Sequence, residues 1–278
     1  MFRVAVHGTL LALCCACGRV SFAPAADAAV DAPCVFGAWS VATPVAATVS
    51  GSLETDPSLT PDGLSLYFVR GGQLYVTQRS SPSSTSYGPP TIVDTLVGAR
   101  RVSFSPDGAD VYYQSGLSIW HARSLGGGQF ADAATLAISG SDIVGPSVSG
   151  GGTEIYLSST ESAPTDRDLY RAHRLGPTTF DALEPVTELN TSAYDAFSSV
   201  SADDLTIYFE SKREGPSHIY AATRPSLSEP FSNITVVDLG GAGVNEGDPW
   251  ISTDGRELYA IRQIGGDYDL IRATRACE

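Results

Sequence analysis

Four charged residues and one tryptophan have the types and spacing to form a binding site in this chain of 278 residues. Asp56, Arg101 and Asp248 each lie six residues before the aspartate of a recurring short turn, and Asp195 lies two residues before a fourth equivalent position. Trp250 stands where the other copies of the pattern carry serine. Carboxylates and a guanidinium beside an aromatic ring can hold a sugar or a peptide. We therefore predict a binding site at these five residues, with no catalytic residue, cofactor or metal.

A purely structural role fits the same residues. Asp56 and Asp248 can cap the turn that enters a strand, and Trp250 can fill a gap between strands. The sequence alone leaves this alternative open.

Missing motifs, scattered histidines and the net charge argue against several classes of function. The sequence contains no Gly-x-Ser-x-Gly elbow, no His-Glu-x-x-His and no phosphate-binding glycine loop. Its histidines at 121, 173 and 218 do not occupy corresponding positions of the internal repeat described below, which argues against a metal site. A net charge of -14 disfavours nucleic acid as a partner.

These candidate residues are carried by an internal repeat of five copies. Each copy has a turn of the Pro-Asp-Gly type, in which proline presets φ and glycine accepts a positive φ. A short strand precedes the turn, and an apolar-tyrosine pair follows it in a second strand. A third strand comes next, and an aromatic residue six places before an aliphatic one marks a fourth. The five turns are Thr60–Gly63, Ser105–Gly108, Ser149–Gly152, Ser201–Asp204 and Ser252–Gly255.

An arginine recurs at the end of most third strands. Recurrence across copies indicates a structural role, and we expect these arginines to pair with a turn aspartate such as Asp62 or Asp254. They are Arg79, Arg174, Arg224 and Arg275.

The fourth strand of the last copy is found at the other end of the chain. Trp39 and Val45 have the fourth-strand spacing ahead of the first turn, so we expect an amino-terminal strand to complete the last blade. A disulfide between Cys34 and Cys277 would replace the missing hairpin loop. The sequence thus predicts an all-β fold, a five-bladed β-propeller of four-stranded blades over residues 34–278. A six-bladed ring or a sandwich remains open.

The first turn lies in a segment, Asp56–Phe68, that resembles the TolB-type, WD-like β-propeller repeat of exported bacterial proteins. The likeness extends into the fourth copy and covers residues 38–276. The third and fourth copies depart from it, with Gly150-Gly151 and Ala202-Asp203 in place of Pro-Asp. The resemblance implies the fold and leaves the function open, because such repeats serve many roles.

The amino terminus predicts export. Arg3 precedes an apolar run, Val4–Ala16, that is too short to span a bilayer and suits a signal peptide. The run ends in a sequence that resembles a bacterial lipobox, with Cys17 as the lipidated residue, although a cysteine occupies the usual leucine position. We predict a signal peptide over residues 1–17, a flexible tether over 18–33 and a membrane-anchored lipoprotein of the periplasm or cell surface. Ordinary signal-peptidase cleavage between Ala23 and Ala32, which gives a secreted protein, is the alternative.

These observations favour a monomeric binding module of the cell envelope, held to the membrane only through its lipid. Its partner would be an envelope protein, a peptide or a glycan. The main alternative is a glycan-cleaving enzyme, because five-bladed propellers are known hosts for paired carboxylates. That reading requires two or three of Asp56, Asp195, Asp248 and Glu246 to converge, with carboxyl groups about 5 to 9.5 Å apart. A purely structural envelope component is a third possibility.

Overall fold

The computed structural model describes residues 34–138, 140, 142–161, 166–241 and 243–277. Contacts divide the chain after Cys34, and the unit Val35–Glu278 contains five antiparallel sheets and, within the described ranges, no helix. Accordingly, none of those residues belongs to a helix capable of crossing a membrane. The predicted signal peptide, tether and lipidation of Cys17 lie outside the described residues.

Each sheet is one blade, with its strands in order from the inside of the ring outwards. Blade 1 consists of β2 (Glu54–Leu59), β3 (Ser65–Arg70), β4 (Gln73–Gln78) and β5 (Thr91–Ile92). Blade 2 consists of β6 (Ala99–Phe104), β7 (Asp110–Ser115), β8 (Ser118–Gly126) and β9 (Gln129–Thr135). Blade 3 consists of β10 (Val144–Val148), β11 (Glu154–Ser159), β12 (Asp168–Gly176), β13 (Thr179–Phe180) and β14 (Glu184–Pro185). Blade 4 consists of β15 (Asp195–Val200), β16 (Thr206–Ser211), β17 (His218–Thr223) and β18 (Ser232–Val236). Blade 5 consists of β19 (Glu246–Ile251), β20 (Glu257–Ile264), β21 (Asp267–Thr274) and β1 (Thr43–Pro44).

The structure confirms the five-bladed propeller. Blade 3 adds one detail, because its fourth strand is broken into β13 and β14, which both pair with β12. The other four blades have four strands each.

The ring closes through the amino-terminal strand, as predicted. In this pairing Thr43 lies opposite Arg272, and the Val45 N–H donates to the Leu270 carbonyl at 2.9 Å. Cys34 and Cys277 are disulfide-bonded. Closure pairs the outer edge of blade 5 with a strand, which removes a template for aggregation.

Apolar side chains pack mainly between neighbouring blades. Tyr67 of blade 1, for example, contacts Phe104 and Phe130 of blade 2, with ring centroids 5.3 and 6.0 Å apart. The tyrosine that follows each turn is buried in all five blades. These five tyrosines therefore form part of the apolar core.

The recurring arginines link blades, but their partners differ from the prediction. Arg79 donates from Nε to the carbonyl of Gly63 at 2.6 Å and from Nη2 to the carboxylate of Glu257, in blade 5, at 2.7 Å. The turn aspartate is already occupied: Asp62 accepts hydrogen bonds from the Thr60 hydroxyl and the backbone N–H two residues later. Three of the arginines, Arg79, Arg224 and Arg275, donate to turn carbonyls. Arg79, Arg174 and Arg224 pair with acids of the preceding blade rather than with turn aspartates.

Candidate functional site

The innermost strand of every blade contains a β-bulge with one residue in the left-handed conformation. Such a conformation costs a residue other than glycine roughly 1 to 2 kcal/mol. Because the bulge recurs in all five blades, it belongs to the architecture, whereas the choice of side chain differs between blades. The five residues and their φ values are Asp56 (56°), Arg101 (36°), Gly145 (65°), Phe197 (47°) and Asp248 (50°).

Arg101 reaches across the axis of the ring. It projects from blade 2 and is 0% exposed. Its Nη2 donates to the carbonyls of Ser198 in blade 4 and Pro249 in blade 5, at 2.8 and 3.1 Å. The guanidinium also lies over the ring of Phe197, 5.2 Å from the centroid. Its Nε and Nη1 have no hydrogen-bond partner.

Three carboxylates surround this arginine, and with it they form what we name the axial cluster: Asp56, Arg101, Glu210 and Asp248. The N–H of Asp56 donates to Asp248 Oδ2 at 3.1 Å, and the N–H of Asp248 donates to Glu210 Oε2 at 3.2 Å. Arg101 Nη1 lies 3.6 Å from Asp248 Oδ1. The guanidinium therefore forms an ion pair with Asp248, and its charge also acts on Asp56 and Glu210.

Burial dominates the electrostatics of the axial cluster. Desolvation raises the pKa of Asp56 and of Glu210, while the positive charge of Arg101 opposes this rise. The pKa of Asp248 is raised well above its usual value, first by desolvation and then by the negative charge of Asp56. The cluster consequently favours bound protons or a ligand that supplies hydrogen-bond donors.

The remaining predicted residues do not join the axial cluster. Asp195 is fully buried and accepts from Arg213 Nη2 at 2.9 Å and from the Ser211 hydroxyl, within its own blade. Glu246, proposed as a catalytic carboxylate, pairs with Arg262 at 2.6 Å. Both are structural ion pairs, since each acid already has its own guanidinium.

Trp250 is also placed differently from the expectation. It is only 8% exposed and packs against Leu59 and Phe68 of blade 1. It therefore fills the gap between the last and first blades, as the structural alternative proposed.

Glu210 is the member of the axial cluster that sequence reasoning missed. It lies on the second strand of blade 4, where blades 1 and 5 carry Val69 and Ile261. In blades 2 and 3 the equivalent residues are Gln114 and Ser158, and each accepts the N–H of the next blade's bulge residue, at 3.3 and 3.0 Å. A polar residue at this repeat position was the signal that would have found it.

Two tyrosines extend the axial cluster towards solvent. Tyr194 and Tyr268 are both half-buried. Desolvation and the nearby charges of Glu210 and Asp248 raise the pKa of both phenols. The ring of Tyr194 also lies 6.4 Å from that of Phe197. Aromatic surface thus adjoins the charged centre.

The turn-side end of the channel has a different character. Here a depression of about 510 Å³ is lined by the last apolar residue of each inner strand, with turn residues and serines. The five apolar residues are Leu59, Phe104, Val148, Val200 and Ile251.

Within the described ranges, no group of three or more histidine, cysteine, aspartate or glutamate side chains is arranged to hold a metal ion. The predicted site therefore reduces to the axial cluster with its aromatic neighbours.

The sequence matches no protein-family model and no curated protein. Solved structures show similarity at the level of the fold. A TolB protein from Agrobacterium tumefaciens is 17% identical, with a TM-score of 0.54 over 85% of this chain and 83% of that one. An α-L-arabinofuranosidase from Podospora anserina, in complex with cellotriose, is 11% identical, with a TM-score of 0.58 over 87% and 97% of the two chains. A thermostable family-43 glycoside hydrolase is 15% identical, with a TM-score of 0.55 over 82% and 91%.

Proposed function

We propose that this protein is an extracytoplasmic binding module whose ligand contacts the axial cluster. The observation that carries the proposal is the fully buried Arg101, whose Nε and Nη1 have no hydrogen-bond partner although Nη1 forms an ion pair with Asp248. Buried polar groups without partners are rare in folded proteins, and a ligand is one way to satisfy them.

The ligand class that fits this arrangement best is a glycan. A hydroxyl group can donate a hydrogen bond to Glu210, the member of the axial cluster that is partly exposed. Tyr194 and Tyr268 supply aromatic surface on which a sugar ring can stack. A peptide or an envelope protein is the alternative ligand, and it would present backbone carbonyls and amides to the same groups.

Two features support a location outside the cytoplasm. The disulfide at Cys34 and Cys277 suits an oxidising compartment. The amino-terminal segment carries the signal-peptide and lipobox-like sequences that would export and anchor the chain. Labelling cells with radioactive palmitate tests the anchor, because the label should be lost on Cys17→Ala. Label retained by this variant would contradict lipidation at that cysteine.

Binding is tested on the full-length protein with a glycan array and a peptide array. Arg101→Gln and Asp248→Asn should each abolish the recognised signal. Glu246→Gln is the matched control, because Glu246 is an equally buried acid of the same strand as Asp248 but is paired with Arg262. If folded Arg101→Gln and Asp248→Asn variants keep every signal, the axial cluster is not the binding site.

Glycan cleavage is the second candidate, favoured by the convergence of Asp56, Glu210 and Asp248 on one centre. Two such carboxylates can act as acid and as base or nucleophile in glycoside hydrolysis. The test measures release of nitrophenol from a panel of aryl glycosides. Hydrolysis that disappears in both Glu210→Gln and Asp248→Asn would establish catalysis, whereas glycan binding without hydrolysis would establish the binding module.

A further inference from the structure

The five seams between neighbouring blades repeat one arrangement of residues. At each seam, a residue near the end of the third strand of one blade faces the first residue of the second strand of the preceding blade. This residue has the same backbone position in every blade, because its N–H donates to the carbonyl just before the second strand of its own blade, at 2.8 to 3.0 Å. The donating residues are Arg79, Ser124, Arg174, Arg224 and Arg275.

Three seams hold an arginine against an acid. Arg174 Nη2 lies 2.6 Å from Asp110 Oδ2, and Arg224 Nη2 lies 3.7 Å from Glu154 Oε2. The third pair joins Arg79 to Glu257. In a fourth seam, Arg275 lies over the rings of Phe36 and Trp39 instead.

The seam between blades 1 and 2 lacks both partners. Ser65 stands in the place of the acid and Ser124 in the place of the arginine. A pocket of about 240 Å³ lies there, lined by both serines together with Asp62, Tyr67 and Gly108. A depression of about 280 Å³ also lies at the seam between blades 5 and 1, but Arg79 lines it, whereas no arginine lines the pocket between blades 1 and 2.

The turn glycines show that this space is open. A Cβ added to Gly63 or Gly255 would lie 3.3 or 3.4 Å from the guanidinium of Arg79 or Arg275. A Cβ added to Gly108 would meet nothing within 4 Å. The place taken by a guanidinium in the neighbouring seams is thus unfilled beside Gly108.

The walls of this pocket retain the groups that hold a guanidinium elsewhere. The Gly108 carbonyl corresponds to the Gly63 carbonyl, which accepts from Arg79 Nε. Tyr67 corresponds to Tyr112, whose ring lies 5.7 Å from the Arg174 guanidinium. The carboxylates of Asp62 and Asp107 also line the pocket. Burial and the charge of Asp62 raise the pKa of Tyr67 to about 12, which keeps the phenol neutral.

We infer that the pocket between blades 1 and 2, called the seam pocket, binds a guanidinium group supplied from outside the chain. The ring face of Tyr67 and the Gly108 carbonyl would contact it as their equivalents contact the arginines of other seams. Asp62 and Asp107, which line the pocket, would supply the negative charge that an acid of the preceding blade supplies elsewhere. An arginine side chain of another protein and a free guanidino compound share this chemistry. The inference is independent of the axial cluster, which lies on the ring axis.

The test titrates the full-length protein with ethylguanidinium and with its neutral isostere ethylurea, followed by calorimetry at concentrations below the unfolding range. Ethylguanidinium should bind at one site, and ethylurea at least about tenfold more weakly, because charge-assisted hydrogen bonds are the stronger ones. Equal binding of the two compounds, or no saturable binding of ethylguanidinium, overturns the inference.

Filling the seam pocket from within provides the matched variants. Ser65→Glu with Ser124→Arg rebuilds the arginine–acid ion pair that three other seams contain. The new arginine should occupy the hydrogen-bond acceptors of the pocket and so weaken ethylguanidinium binding at least about tenfold. Ser118→Arg adds an arginine on the same strand at an exposed position and should leave binding unchanged. Unchanged binding in the double variant contradicts the assignment.

Arg174→Ser supplies a second measurement that does not depend on folding of the double variant. This change opens the equivalent space between blades 2 and 3, so the stoichiometry of ethylguanidinium should rise from one to two. A stoichiometry that stays at one contradicts the comparison between seams.

A tripeptide identifies the source of the guanidinium group. Binding of Gly-Arg-Gly more tightly than ethylguanidinium would identify a protein segment as the source, and equal affinities would identify a free guanidino compound. Ethylguanidinium binding that is retained in Asp248→Asn would show that the seam pocket is independent of the proposed glycan site.

Discussion

The backbone N–H of Asp56 donates a hydrogen bond to the carboxylate of Asp248, so the first and last blades of the ring meet at two acids. These acids share Arg101 with Glu210, and all three carboxyl groups are raised in pKa by burial. The centre of the propeller thus holds three acids with raised pKa values and one guanidinium. The stability that these acids contribute should decrease as pH rises through their folded pKa values.

The first prediction concerns this pH dependence. A carboxyl group with a raised pKa binds more protons folded than unfolded, so its stabilising contribution is present at low pH and is lost as pH rises from about 4 through the folded pKa. Replacing Asp248 by Asn removes the titration. The free energy of unfolding of Asp248→Asn, measured with urea between pH 4 and 8, should fall less with rising pH than that of the wild type.

Asp195→Asn is the control for that measurement. Asp195 is buried like Asp248 but is bonded to Arg213, so its loss leaves a guanidinium without its acid. We expect this variant to be less stable than the wild type at pH 7. If Asp195→Asn and Asp248→Asn change the free energy of unfolding in the same direction at pH 7, the charge of Arg101 is sufficient to neutralise the carboxylates of the axial cluster.

The second prediction concerns Arg101. Removing one partner of a buried ion pair typically costs about 3 to 5 kcal/mol because a buried charge is left uncompensated. Arg101→Leu should therefore lower the free energy of unfolding by about this amount at pH 7, and by less at pH 5, where more of the three carboxyl groups are protonated. A loss that is equal at both pH values would show that Arg101 acts through packing against Phe197 rather than through its charge.

Much of the fold was predictable because the repeat encodes it locally. The Pro-Asp-Gly turn and the tyrosine after it identify the first two strands of a blade, and Trp39 with Val45 identified the closing strand. The break between β13 and β14 was not predictable, because blade 3 carries the same aromatic-to-aliphatic spacing, Phe180 to Val186, as the intact blades.

The candidate site was only partly predictable. The bulge positions follow from counting back from each turn, which placed Asp56, Arg101 and Asp248 together. Asp195 and Trp250 were misassigned because sequence position does not reveal which partner a buried side chain finds. Asp195 is bonded to Arg213, which lies beyond the next strand of its own blade, and Trp250 packs against the neighbouring blade.

The third prediction concerns a turn of blade 3 whose N–H groups are bonded by a carboxylate of blade 4. Blade 3 has Gly150-Gly151 in place of Pro-Asp, and the carboxylate of Asp204, in blade 4, accepts the N–H groups of both glycines. Asp204→Ala should lower the free energy of unfolding by about 2 kcal/mol, since two partly buried donors lose their acceptor. Asp204→Asn, which keeps one acceptor oxygen, should cost about half as much in the same urea titration. Equal losses would show that the backbone conformation at this position, φ 58°, matters more than the hydrogen bonds.

The fourth prediction concerns the disulfide. Linking Cys34 to Cys277 closes nearly the whole chain into a loop, for which chain entropy gives a stabilisation of roughly 5 kcal/mol as an upper figure. Dithiothreitol should therefore lower the midpoint of urea unfolding of the wild type. The double variant Cys34→Ser, Cys277→Ser should unfold at this lower midpoint with or without the reductant. A wild-type midpoint that does not respond to complete reduction would show that β1 holds the ring closed by itself.

Completion of blade 5 by β1 also sets the order in which the molecule can assemble. Blades 1 to 4 consist of consecutive strands and can form as soon as each has been synthesised, whereas Thr43 has no partner until Arg272 has emerged. Pairing across so long a separation is slow. The chain therefore stays an open ring, with two unpaired edges, throughout its synthesis. The last contact to form is therefore the one that locks the others in place.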